Sequence, residues 1–115
     1  MTVMHRRIVI ACSLALTMVA SGAALAEELP TFRIEAKDGR LQPSALHVPA
    51  GKRIKIEIVN LGAEPIEFES LKLRKEKVLA PGARSFLVIA PLRSGSYPFF
   101  DDFHPDTGQG ALIAE

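Results

Sequence analysis

Polar and apolar residues alternate strictly from Thr31 to Lys37. Phe32, Ile34 and Ala36 fall on one face, and Arg33, Glu35 and Lys37 on the other. That spacing predicts a half-buried strand. Asp38-Gly39 is a tight-turn dipeptide. Leu41 to Val48 is irregular: Pro43 bars a central ladder position, yet Leu46 and Val48 keep the two-residue period. Lys52 to Asn60 gives the clearest strand, with Ile54, Ile56 and Ile58 inward and Arg53, Lys55 and Glu57 outward. A loop from Asn60 to Pro65 leads into Ile66-Glu67-Phe68-Glu69, short and alternating. Leu71 to Val78 mixes Leu71 and Leu73 with Lys72, Arg74, Lys75 and Lys77. After the Pro81-Gly82 turn, Ser85 to Ile89 is apolar enough for burial on both faces. Tyr97 to Phe100 follows a Ser/Gly turn, and Ala111 to Ala114 closes the pattern. No run keeps a helical period. Short strands broken by Gly and Pro predict a single all-β domain, a small sandwich or barrel.

The first 26 residues stand apart. His5-Arg6-Arg7, the apolar run Ile8 to Ala20 and the Ala24-Leu25-Ala26 site read as a secretory signal cleaved before Glu27. This divides the chain into residues 1–26 as leader and 27–115 as domain, and it changes the inventory. The one cysteine, Cys12, and all three methionines lie in the leader. What remains can form no disulfide and offers no soft sulfur ligand. It holds twelve basic and thirteen acidic residues, a net charge of −1. That balance argues against nucleic acid as a partner. The leader predicts export from the cytoplasm, with no membrane span after processing.

Chemistry concentrates in Asp101-Asp102-Phe103-His104-Pro105-Asp106. Close carboxylates repel unless a cation, an arginine or water intervenes. An imidazole among them adds a nitrogen donor, so the group suits a transition metal. The same residues also suit a polar surface turn, with Asp106 starting an Asx-turn and His-Pro stiffening it. Glu67 and Glu69 share one strand face, which is either solvated or ligating. Lys72, Arg74, Lys75 and Lys77 read as a solubilising face or a guarded edge strand, or as a docking surface for an acidic partner. Tyr97, Phe99 and Phe100 read as core, and His47 as structural or surface.

Several of these segments resemble cupredoxins. Leu41 to Gly51 (LQPSALHVPAG) is similar to the family's second-strand signature, and Val59 to Pro65 to the loop before its first histidine. Gly95 to Phe100, with His104 and Gly110, resembles the copper loop. In electron-transfer members that loop carries Cys, then His, then Met. Here Asp101 stands at the Cys position, His104 at the His and Gln109 near the Met. The first family histidine is absent from the Ile66–Glu67 region. Such a chain cannot build a blue-copper centre, which needs a thiolate. The combination of EFES, LRKEK and YPFFDDFHPDTG is similar to the cupredoxin-like periplasmic proteins of bacterial ferrous-iron permease systems, the EfeO-type group.

That resemblance implies a Greek-key β-sandwich and a periplasmic metal-binding role. The ion is iron, with copper the alternative. The partners are an inner-membrane iron permease and other periplasmic iron-uptake components. Glu67, Asp101 and His104 are the expected ligands, assisted by Asp102, Glu69 and Asp106. The chain shows no second redox centre, so an accessory to iron oxidation or delivery is expected rather than a complete enzyme. Two rival readings are a metal-free protein-binding module and a copper carrier.

Overall fold

A computed structural model describes residues 28–115; the leader assigned to residues 1–26 lies outside them. Nine strands form two sheets, and there is no helix among the described residues. They are β1 (Thr31–Lys37), β2 (Arg40–Gln42), β3 (Ala45–Val48), β4 (Ile54–Asn60), β5 (Ile66–Ser70), β6 (Lys75–Leu79), β7 (Arg84–Ile89), β8 (Gly95–Asp101) and β9 (Gln109–Ala114). One sheet runs β2-β1-β4-β7 and the other β3-β9-β8-β5-β6. Two pairings are parallel, β1 with β4 and β3 with β9. No helix among the described residues is long and apolar enough to cross a membrane.

The alternating residues behave as their period requires. Ile34, Ala36, Ile54, Ile56 and Ile58 from the first sheet meet Ile66, Phe68, Phe99 and Leu112 from the second. Phe68 and Phe99 stack obliquely at the centre, ring centroids 5.3 Å apart. Phe100, on the opposite side of β8 from Phe99, is only half-buried. The Asp38-Gly39 turn is left-handed at both residues, with φ of 53° and 71°. This is the turn whose twist matches antiparallel strands.

The irregular stretch around Pro43 is where the chain changes sheets. Arg40–Gln42 pairs with β1 and Ala45–Val48 pairs with β9. Pro98 is tolerated in β8 because β5 pairs only with Phe100 and Asp101 there. Beside Pro98 the ladder is replaced by the Ser70 hydroxyl, which donates to the Pro98 carbonyl at 2.7 Å.

Two expectations need correction. The 84–89 strand is buried on one face only. Only one face of its sheet meets the other sheet, so Leu87 and Ile89 pack inward while Phe86 stays 53% exposed under the Lys55 ammonium, 4.4 Å from its ring centroid. The basic stretch at 72–77 is a guarded edge strand only in part: β6 is the edge of its sheet. Residues 71–74 turn, and β6 starts at Lys75. Lys75 and Lys77 share the strand face of buried Leu79, while Glu76 and Val78 point outward. Inward-pointing lysines on an edge strand discourage further pairing. Lys72 lies over the Tyr97 ring instead.

Candidate metal centre

Asp101 ends β8 at one end of the sandwich, beside Phe68 of β5. Its carboxylate is buried, 1% exposed. One oxygen, Oδ1, accepts the amide N–H of Glu67 at 2.9 Å and of Phe103 at 3.0 Å. The other, Oδ2, lies 2.7 Å from His104 Nδ1. The loop between β8 and β9 is wound tightly enough to allow this. Asp101 N–H donates to the Gly108 carbonyl, and the amides of His104 and Gly108 donate to Asp101 and His104. Gly108 has no room for a side chain: a Cβ there would sit 2.7 Å from Asp101 Cβ and 3.0 Å from the His104 carbonyl.

The far nitrogen of His104, Nε2, lies 2.7 Å from Glu64 Oε2. Glu64 sits in the loop between β4 and β5. The two hydrogen bonds, first to Glu64 and then to Asp101, hold the His104 pKa above its ordinary value despite partial burial. A cleft of about 380 Å³ opens beside the pair, lined among others by Lys37, Asp38, Asn60 and Thr107.

Glu67 does not join this group. Alternation along β5 sends Phe68 into the core and the Glu67 and Glu69 side chains to the outer face. Glu67 reaches Asp101 through its amide, not its carboxylate. Across the β5–β6 ladder, Glu69 is directly opposite Glu76. Oxygens of Glu67, Glu69 and Glu76 all lie within 4.8 Å of one another. Among the described residues, no such convergent trio combines Glu67 with His104. Asp102 belongs to the outer side too: its amide donates to the Glu67 carbonyl at 2.8 Å. The Glu67 pKa is raised, first by partial burial, then by the charges of Asp102, Glu69 and Glu76.

The six residues expected as one ligand set therefore divide. Asp101 and His104 meet at the end of the sandwich. Glu67, Glu69 and Asp102 gather on the outer face. Asp106 is exposed and enters neither group. Two participants were not anticipated. Glu64 precedes Pro65, whereas the family pattern drew attention to the residues after it. Glu76 stood inside a basic stretch, and only strand register reveals it opposite Glu69. Gln109 turns away and donates to the Pro105 carbonyl. His47 pairs with Glu115 at 2.6 Å on the exposed surface, well apart in sequence from either group.

The sequence matches the family described as "Cupredoxin-like domain" over residues 9–114. This protein belongs to that family. The cupredoxin-like chain is 38% identical over 81 residues to an uncharacterized protein, RP394, of Rickettsia prowazekii (strain Madrid E); the match covers 70% of this chain and 65% of that one. It thus spans just under two thirds of that relative's length. Auracyanin A of Chloroflexus aurantiacus, a "blue" copper protein, superposes with a TM-score of 0.62 at 16% identity, covering 74% of this chain and 98% of that one. The metal-binding domain of the Cu(I)-exporting P-type ATPase CopA of Streptococcus pneumoniae D39, solved with Cu(I), superposes with a TM-score of 0.63 at 16% identity, covering 74% and 84%. At such identities these two likenesses bear on the fold alone.

The donor chemistry of this cupredoxin-like chain differs from a sulfur-ligated copper centre. Asp101 has both oxygens engaged, and His104 has both ring nitrogens against carboxylates; no sulfur donor stands beside them among the described residues. These residues do not fit that centre. The outer trio is an all-oxygen set, the kind that hard cations prefer.

Proposed function

We propose that this cupredoxin-like protein carries a hard transition-metal ion, iron foremost, on the outer face of the β5–β6 pair, and serves iron acquisition outside the cytoplasmic membrane. The observation that carries the reading is the convergence of Glu67, Glu69 and Glu76 within 4.8 Å. Glu69 and Glu76 are like charges placed directly across a ladder, a pairing that destabilises a sheet unless a cation neutralises it. The charge of Asp102 also raises the Glu67 pKa, which adds to the negative field a cation would meet there.

Iron here is cargo. A cluster of carboxylates carries more negative charge than Fe(II) neutralises, so it favours the ferric state and eases oxidation by an external acceptor. The leader-like first 26 residues and the resemblance to ferrous-permease proteins support a periplasmic carrier that delivers iron to an inner-membrane permease. The half-exposed position of Glu67 and Glu69 suits transfer, since a cargo site must release as well as bind.

Anaerobic calorimetric titration with Fe(II) at neutral pH tests the reading. Binding tighter than micromolar is expected for the unaltered chain. Glu69→Gln and Glu76→Gln should each weaken it roughly tenfold or more, on the scale seen when groups around a metal are altered. His104→Gln should leave it unchanged. Absence of binding, or binding indifferent to both glutamate substitutions, would sink the proposal.

A further inference from the structure

We propose that Asp101, His104 and Glu64 form a metal-free tie on the loop that resembles the cupredoxin copper loop, joining two loops by hydrogen bonds and leaving the imidazole no lone pair for a metal. Both ring nitrogens are engaged, although the pair borders an open cleft. His104 Nδ1 is 2.7 Å from Asp101 Oδ2, and His104 Nε2 is 2.7 Å from Glu64 Oε2. Asp101 Oδ1 already receives two amide protons, so the ring is directed to Oδ2. A carboxylate at each nitrogen favours the doubly protonated ring, an imidazolium whose charge the two carboxylates balance.

The surroundings fix all three members from behind. Asn60 is fully buried, and its side-chain amide donates to the carbonyls of Glu64 at 2.8 Å and Leu79 at 3.1 Å. Its oxygen accepts the Gly62 amide at 3.0 Å. The loop bearing Glu64 is thereby tied to the end of β6. On the other side Thr107 donates its hydroxyl to the Gly39 carbonyl at 2.6 Å, holding the His104 loop against the β1–β2 turn. An ion entering between His104 and Glu64 would have to strip a proton from the ring and break a charge-assisted hydrogen bond. The outer glutamates ask nothing comparable. The tie thus turns soft and nitrogen-seeking ions away from the end of the sandwich. This inference stands whether or not the outer face binds iron, because it is read at His104.

Two measurements test it. In the first, the unaltered protein is titrated with Zn(II) and, separately, with Cu(I), both diamagnetic, while the His104 ring ¹⁵N signals are followed. Both nitrogens should stay protonated, without the large shift of Nε2 that direct ligation produces. That shift at one equivalent of either ion overturns the proposal. In the second, thermal unfolding is compared for Glu64→Gln, His104→Gln and the double variant. Glu64 is exposed enough for its substitution to leave folding intact. Each single change should lower the midpoint by a few degrees, and the double variant should lose little more than His104→Gln alone. Additive losses, or no loss with Glu64→Gln, overturn it.

Discussion

At the scale of residues, one substitution reorganises the rest. The carboxylate at position 101 is buried and has both oxygens engaged by N–H groups. It accepts two hydrogen bonds from the backbone amides of Glu67 and Phe103 and one from His104. The consequence for pH follows from the raised His104 pKa, whose first cause is the hydrogen bond to Glu64. The folded state binds that proton more tightly than the unfolded chain does. Its stabilisation is complete below the ordinary value of 6.5 and is lost as pH rises through the higher folded value. Metal-free protein should therefore melt at progressively lower temperature as pH climbs through neutrality, and His104→Gln should flatten that slope. A melting midpoint independent of pH above 6.5 in the unaltered protein would count against the assignment. Glu67, also raised, acts in the same direction but in the acid range above 4.5.

At the scale of elements, the β5–β6 pair is the part of the sheet with an evident conflict. Alternation sends Glu67 and Glu69 outward whatever they do there, and register sets Glu76 against Glu69. Glu76→Lys removes the repulsion and supplies an opposite charge. Without metal it should stabilise the domain by about 0.2–1 kcal/mol, the range of cross-strand pairs. Denaturant unfolding measures that gain, and the same variant should bind Fe(II) poorly. A variant that gains stability and keeps its iron affinity would separate the two effects. Elements also show what a sequence can disclose. The runs at 31–37 and 54–60 were legible because a two-residue period needs no knowledge of neighbours. The break at 42–45 was visible only as irregularity, since nothing local says that the chain crosses between sheets. Asp101 and His104 were found because they lie three positions apart on one loop. Glu64 and Glu76 were not, because their partners are brought in by pairing across 40 and seven positions of chain.

At the scale of the molecule, one core holds both groups of polar residues in place. Phe68 is fully buried, flanked in sequence by Glu67 and Glu69, and packed on Phe99. Phe68→Ala should cost about 3–5 kcal/mol, the range for emptying an aromatic site in a core. The loss should appear as a lower denaturant midpoint together with weaker Fe(II) binding. A well-folded variant with intact affinity would show that the outer face is organised without this contact. The order of the second sheet, β3-β9-β8-β5-β6, carries a further consequence. Its last strand in sequence is an interior one, lying between β3 and β8. A nascent polypeptide that has emerged only through residue 108 offers β3 no neighbour and leaves β8 half-paired. Completion of this sheet must wait until Gln109–Ala114 has been synthesised, so the earlier strands stay available to chaperones up to that point.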